Sequence, residues 1–178
     1  MAEELSAKQI TWSLSAPRPS MSEHDLTQDD LAFVNRVRRQ SRSLSTDDRD
    51  HMAAIAPKRP KVDLEINFDY NSAALTPRAE PQLNDLGTAL TSSELAGSVF
   101  MLGGHTDAKG NDEYNQTLSE RRAETVKRFL MEKYHLRAAN LVSAGYGQKG
   151  LKNAAYPFAA ENRRVEIVNM ADREQASR

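Results

Sequence analysis

Gly103-Gly104-His105-Thr106-Asp107-Ala108-Lys109-Gly110 is followed at fixed intervals by Tyr114-Asn115, Leu118-Ser119, Arg122-Ala123, Val126 and Leu130. This stretch decides the fold. The apolar run before it, Ser98 to Gly103, has the length of a buried strand, and the glycine-rich octet reads as a loop. Glu113 to His135 reads as the longest helix of the chain. With Leu118 at 0° and about 100° per residue, Phe129 falls near 20°, Val126 near 80° and Tyr114 near −40°. Arg122 falls at about 40° and Asn115 at about 60°, inside that apolar stripe, whereas Arg121 points away at about −60°.

An arginine in an apolar stripe needs a partner, because an unpaired buried charge is costly. Three readings compete. Arg122 snorkels past the helix edge, pairs with an internal carboxylate, Asp107 above all, or faces a ligand. Asp107 ends a strand just before a helix N-terminus, and open α/β sheets tend to place ligands at such loops. Gly103, Gly104 and Gly110 permit close backbone approach. A ligand meeting Asp107 and Arg122 together carries an ammonium and a carboxylate near each other.

Outward from this core, Val62, Leu64, Ile66 and Phe68 alternate with polar residues as a half-buried strand. Asp69 to Leu75 is a turn. A helix runs to about Leu90, with Pro77 suited to its first position after a Thr76 cap, or with its start moved to Glu80 by Pro81. Leu141 to Gly147 and Arg164 to Met170 are further strands, with a loop from Gly147 to Glu161 between them. Thr27 to Arg42 is expected to be helical with a capping box from Thr27 and Asp30, and Ser45 or Thr46 caps a second short helix to about Ile55. In residues 1 to 26, the alternating Ile10, Trp12 and Leu14 suggest a short strand or an unstructured arm. Ala56 to Lys61 reads as a linker. These divisions give an arm (1–58), a domain (62–170) and a charged, frayed tail (171–178).

The 178 residues carry 24 Lys+Arg against 25 Asp+Glu, a formal charge of −1, which gives no electrostatic footprint for nucleic acid. The basic run Arg36, Arg38, Arg39, Arg42 is balanced by Asp29, Asp30, Asp47, Asp48 and Asp50, and reads as a solvated helix face. With no cysteine there is no disulfide, thiolate metal site or cysteine nucleophile. No stretch approaches the roughly 18 apolar residues of a membrane span. Met1-Ala2-Glu3-Glu4 has neither the basic flank nor the apolar core of a signal peptide. Catalysis by His105, Asp107 and Ser119 fails on geometry, since Ser119 lies within a helix and no nucleophile elbow surrounds it. A metal set of His105, Asp107 and His135 fails because the helix separates its ends by about 30 Å. No cofactor is expected.

The motif residues quoted above, with Phe68-Asp69, Leu75-Thr76-Pro77 and Asn162-Arg163-Arg164-Val165-Glu166-Ile167, resemble in order and spacing the OmpA-like peptidoglycan-binding domain family. The resemblance covers residues 62 to 170. It implies an α+β fold, a βαβαβ-β domain with a four-stranded mixed sheet and two long helices on one face. It implies a non-catalytic module, periplasmic and outer-membrane associated, that holds the diaminopimelate of peptidoglycan stem peptides and anchors an envelope protein to the wall. By motif, Asp107 takes the ligand's ammonium and Arg122 its carboxylate. Thr106, Asn115 and Leu118 line the site, Phe68 and Asp69 form a wall, and Arg164 contributes from the last strand. Relatives have a proline soon after the Gly145-Tyr146-Gly147 turn, whereas here Pro157 comes ten residues later. Residues 1–58 match no part of the family. They are expected to be dispensable for folding, and their helices, too short to stand alone, either pack on the domain or wait for a second envelope protein.

Overall fold

A computed structural model describes residues 4–15 and 26–177. The arm reading of residues 1–3 and 16–25 therefore lies outside the described residues, as does Arg178. The described elements are α1 (Ala7–Ser15), α2 (Gln28–Val37), α3 (Thr46–Ile55), β1 (Lys61–Leu64), α4 (Glu80–Leu90), β2 (Val99–Gly104), α5 (Asp112–Tyr134), β3 (Leu141–Gly145), β4 (Val165–Ala171) and α6 (Arg173–Ala176). The strands form one mixed sheet in the order β1-β4-β2-β3. β4 runs antiparallel to both neighbours, and β2 and β3 run parallel. Every residue of β4 is buried.

Local chemistry sets the helix ends. Thr27 and Asp30 form the expected capping box of α2. Ser45, not Thr46, caps α3 by accepting from the Asp48 amide. α4 starts at Glu80, with Pro81 in its first turn. Asn111 caps α5, which ends on a left-handed His135 (φ 57°).

Both faces of the sheet are covered. On one face α1, α4 and α5 bury Leu83, Leu86, Val126 and Leu130 against Leu64, Phe100, Leu102 and Ile167. On the other, α2 and α3 bury Phe33, Val34, Met52 and Ile55 against Val99, Met101, Val142, Val168 and Met170.

Four sequence expectations are corrected. Residues 7–15 are a helix, not a strand: Ile10 and Leu14 are fully buried one turn apart, and Trp12 faces solvent. A spacing of four fits both periods, so alternation over five residues could not distinguish them. Regular pairing in β1 ends at Leu64, not Phe68, and an isolated bridge from Phe68 to Leu75 closes the turn. α2 stops at Val37, five residues short of Arg42. The tail is not frayed at its start: Asp172 and Gln175 form a capping box for α6, whose Gln175 also accepts from Arg59.

The arm is part of the packing. Gln82 of α4 bonds both ways with the Leu5 backbone, at 2.9 and 2.8 Å. Asn169 of β4 donates to the Leu14 carbonyl at the end of α1, at 3.1 Å. The arm helices therefore pack on the domain, the notion of a separable arm loses its support, and a truncated chain is the test. Their removal would expose one whole apolar face of the sheet. A chain of residues 59–178 should bind a hydrophobic dye and lose its cooperative melt. Val34→Ala in the full chain should stay folded at a cost of about 1–3 kcal/mol, measured by denaturant unfolding.

Candidate functional site

The site is built where α5 meets the ends of β2 and β3. A side chain at Gly104 would collide with the Ser119 backbone carbonyl, and one at Gly145 with Glu120, so only glycine lets the helix lie this close. Ser119 is fully buried there, and its hydroxyl accepts from the Gly147 amide at 2.9 Å and donates to the Gln116 carbonyl. That use as a brace replaces any nucleophilic role.

Beyond this contact, residues 105–110 turn back over the start of α5. Gly110 sits at φ +96°, in the left-handed region. Asp107 Oδ1 accepts from the Lys109 amide at 2.9 Å, fixing the carboxylate. Thr106 Oγ donates to the Asp107 carbonyl at 2.9 Å. Asn115, buried on the first turn of α5, donates to the Lys109 carbonyl and to Gln148 Oε1 at 3.0 and 2.6 Å. It thereby ties the loop to the segment after β3.

A cleft of about 570 Å³ opens between this loop and the turn after β1. Thr106, Asp107, Asn115, Leu118, Arg122 and Phe68 all line it, so six of the eight candidates meet in one place. The Arg122 guanidinium lies over the Phe68 ring, 4.9 Å from its centroid. It donates to the Ser72 and Asp69 carbonyls at 3.0 and 3.3 Å. Asp69 thus serves through its backbone, and its side chain is exposed. Burial pulls the Arg122 guanidinium below its ordinary value, with the Asp107 charge opposing that shift.

Arg122 is half-buried at the edge of the packed face, not within it. The buried line of α5 is Asn115, Ser119, Ala123, Val126 and Leu130. Small Ser119 and Ala123 carry little apolar signal, so the sequence-derived stripe was rotated toward Leu118 and Phe129.

Asp107 and Arg122 do not pair with each other. The partner of Asp107 is Arg163, whose Nη1 lies 2.6 Å from Oδ2. Arg163 is the residue that sequence reasoning missed. It stood in the quoted Asn162-Arg163-Arg164 run, where adjacent positions in an extended chain face opposite sides. Arg164 points the other way. It is buried against Asp63 and the Gly150 carbonyl, outside the cleft. Tyr70, Asn71 and Tyr114 complete the rim, with the Tyr114 hydroxyl donating to Asn71.

Residues 67–165, more than half of the chain, match the OmpA family. This chain is a member of the OmpA family. It is 32% identical over 108 residues to outer membrane porin F of Pseudomonas aeruginosa, a match covering 60% of this chain and 30% of that protein. It is 36% identical over 109 residues to the peptidoglycan-associated lipoprotein of Legionella pneumophila, covering 60% of each. The chain thus spans 30% to 60% of these relatives' lengths. Among solved structures, the cell wall anchor of the T6SS from Pseudomonas aeruginosa superposes with a TM-score of 0.52 at 26% identity, over 64% of this chain and 82% of that one. An OmpA-like domain from Francisella tularensis gives 0.52 at 24% identity, over 60% and 70%, a likeness of fold. This OmpA family member has the α+β fold of its solved relatives. Among the described residues no helix is long and apolar enough to cross a membrane.

His105 lies behind the cleft. Its ring stacks on Tyr146 with centroids 5.3 Å apart, and neither ring nitrogen has a hydrogen-bond partner. Burial pushes the imidazole down to about 3, helped by Arg164 and Lys61 and opposed by Asp63. A histidine held neutral in the fold contributes stability in full above its unfolded value near 6.5. That contribution is lost as pH falls toward 3, at up to about 1.4 kcal/mol per unit. Glu166, 3.7 Å away and raised by burial, acts in the opposite sense. Melting temperature should therefore fall between pH 6.5 and 4, and His105→Gln should flatten that fall. Equal slopes in wild type and variant would exclude this origin.

Proposed function

We propose that this chain binds peptidoglycan non-covalently, by holding the free zwitterionic end of diaminopimelate in the cleft, and thereby anchors a cell-envelope protein to the wall. One observation carries the reading. Opposite charges line one cleft and are each held by groups other than one another. Arg122 is oriented by two neutral carbonyls and an aromatic face, which leaves guanidinium N–H groups for a carboxylate. Asp107 uses one lone pair on Lys109 and one on Arg163, leaving acceptor positions for an ammonium. The cleft volume lies within the range of ligand sites.

The family match supports the same reading, as do the names of two relatives, a peptidoglycan-associated lipoprotein and a cell wall anchor. Diaminopimelate-containing peptidoglycan lies in the periplasm of Gram-negative cells, so the module works there, on the side of the outer membrane. Thr106 and Leu118 supply the floor and side of the site, and Tyr70 and Tyr114 its rim. The alternative, in which the arm exists to bind a second envelope protein, loses part of its motive because the apolar faces of α2 and α3 are already used against the sheet.

The purified chain should co-sediment with diaminopimelate-type sacculi, be displaced by free meso-diaminopimelate, and bind lysine-type walls far less. Equal binding to both walls would overturn the assignment. Asp107→Ala and Arg122→Ala should each cost about 2–5 kcal/mol of binding, thirty-fold or more. Asp107→Ala should leave the melt near native, because its partner Arg163 is half-exposed to water. Arg122→Ala should lower it modestly through the loss of the 69–72 turn contacts. Arg121→Ala, on the exposed side of α5, should change neither.

A further inference from the structure

A second groove, of about 760 Å³, lies away from the cleft. All five residues of β3 line it. Successive residues of a strand face opposite sides of the sheet. A cavity touching all five therefore runs along the strand's edge. β3 is the last strand of the sheet and pairs only with β2. The segment 37–44, between α2 and α3, forms the opposite wall, and outward side chains of α5 form the floor.

Proteins usually defend such an edge with a covering helix, a proline, a bulge or a charge on the strand itself. Leu141-Val142-Ser143-Ala144-Gly145 carries no charge and no proline. The charges stand on the groove walls instead, six cations against Glu120 and Glu124. Two of the cations are engaged. Arg38 donates to the Ala139 carbonyl and Asn140 Oδ1, and Arg49 pairs with Glu120 at 3.3 Å. Glu124 accepts from the Ser143 hydroxyl. Among the described residues Arg39, Arg42, Arg121 and Lys127 make no ion pair with a carboxylate. The edge of β3, unpaired with any strand and with only its Gly145 carbonyl taken by Gln116 Nε2 at 2.6 Å, thus runs beneath four cations that make no ion pair.

We propose that this groove binds an extended acidic peptide segment of a partner protein, which adds as a strand to β3 while its carboxylates meet Arg39, Arg42, Arg121 and Lys127. Main-chain pairing supplies affinity in this mode, and side-chain charge supplies selectivity. The basic run in the arm then has a use that a solvated helix face does not. Arg36 pairs with Asp48 at 2.8 Å and Arg38 braces the segment after α5, which leaves Arg39 and Arg42 toward the groove.

The test uses the full chain and a fluorescein-labelled Val-Glu-Val-Glu-Val-Glu peptide, read by fluorescence anisotropy at low salt. Saturable binding is expected, with amide hydrogen exchange slowed in β3. The double variant Arg39→Glu and Arg42→Glu should weaken it at least ten-fold. Both residues are exposed, so the fold should tolerate the change. Asp107→Ala should leave peptide binding unchanged. The proposal is overturned if the peptide does not saturate, if charge reversal leaves affinity unaltered, or if a peptide with its central valine replaced by proline, which cannot complete the strand, binds equally well.

Discussion

The contact on which the rest depends is the close approach of α5 to the ends of β2 and β3. It requires an absent side chain at Gly104 and at Gly145, because Ser119 and Glu120 occupy the space that a Cβ would need. That approach has three consequences. It lets small Ser119 and Ala123 face the sheet, which brings the helix axis nearer than Leu or Phe would allow. It lets the Ser119 hydroxyl bond the Gly147 amide, which ties the segment after β3 to the middle of the helix. It also turns the first turns of α5 under the 105–110 loop, so that Asn115 and Arg122 reach the two walls of the cleft. The cleft is therefore positioned by rigid elements, and its loops are held by bonds to those elements.

The second constraint comes from the sheet. A four-stranded sheet with apolar residues on both faces cannot leave either exposed, and α4 and α5 cover only one. The arm supplies α2 and α3 for the other face and α1 for the margin of the first. The Asn169 side chain on the Leu14 carbonyl, and the Gln82 side chain on the Leu5 backbone, show how closely arm and sheet are joined. Burial of β4 along its whole length follows from its central place between β1 and β2.

The parts of the fold with strong periodicity were legible in the sequence. α5 has 23 residues and clear caps, β2 is an unbroken apolar run, and the order of strands and helices after Val62 held. The arm was misread because its two informative residues, Ile10 and Leu14, are compatible with either period, and a nine-residue helix offers no third buried position. Of the candidate positions taken by motif, Phe68, Thr106, Asp107, Asn115, Leu118 and Arg122 come together in one cleft. The place of Arg163 was not legible, because which of two adjacent arginines faces the cleft depends on where the β4 ladder begins, one residue after Arg164. The orientation of Arg122 was off for a different reason. A helical wheel weights large apolar residues, whereas here the packed line is marked by small ones.

The proposed zwitterion site faces a physical problem, since its own two charges attract each other and an empty cleft could collapse onto a direct ion pair. The arrangement around this cleft opposes that collapse from both sides. Arg122 is held back by the carbonyls of Asp69 and Ser72 and by the face of Phe68, all of them neutral, so its full positive charge remains available. Asp107 is held by a backbone amide and by Arg163. Arg163 has almost half of its side chain in solvent, whereas the Asp107 side chain is largely covered. Neutral dipoles fix the cation and leave its charge whole, and a half-exposed cation fixes the anion while leaving acceptor positions open. A ligand that brings both charges at the right separation then gains two desolvated ion pairs at once. A ligand with only one of them gains a single pair and leaves the other wall unmatched. On the proposed reading, selectivity for the zwitterion over a lone amine or a lone carboxylate would follow from how the two walls are held, before any contact with the rest of the ligand.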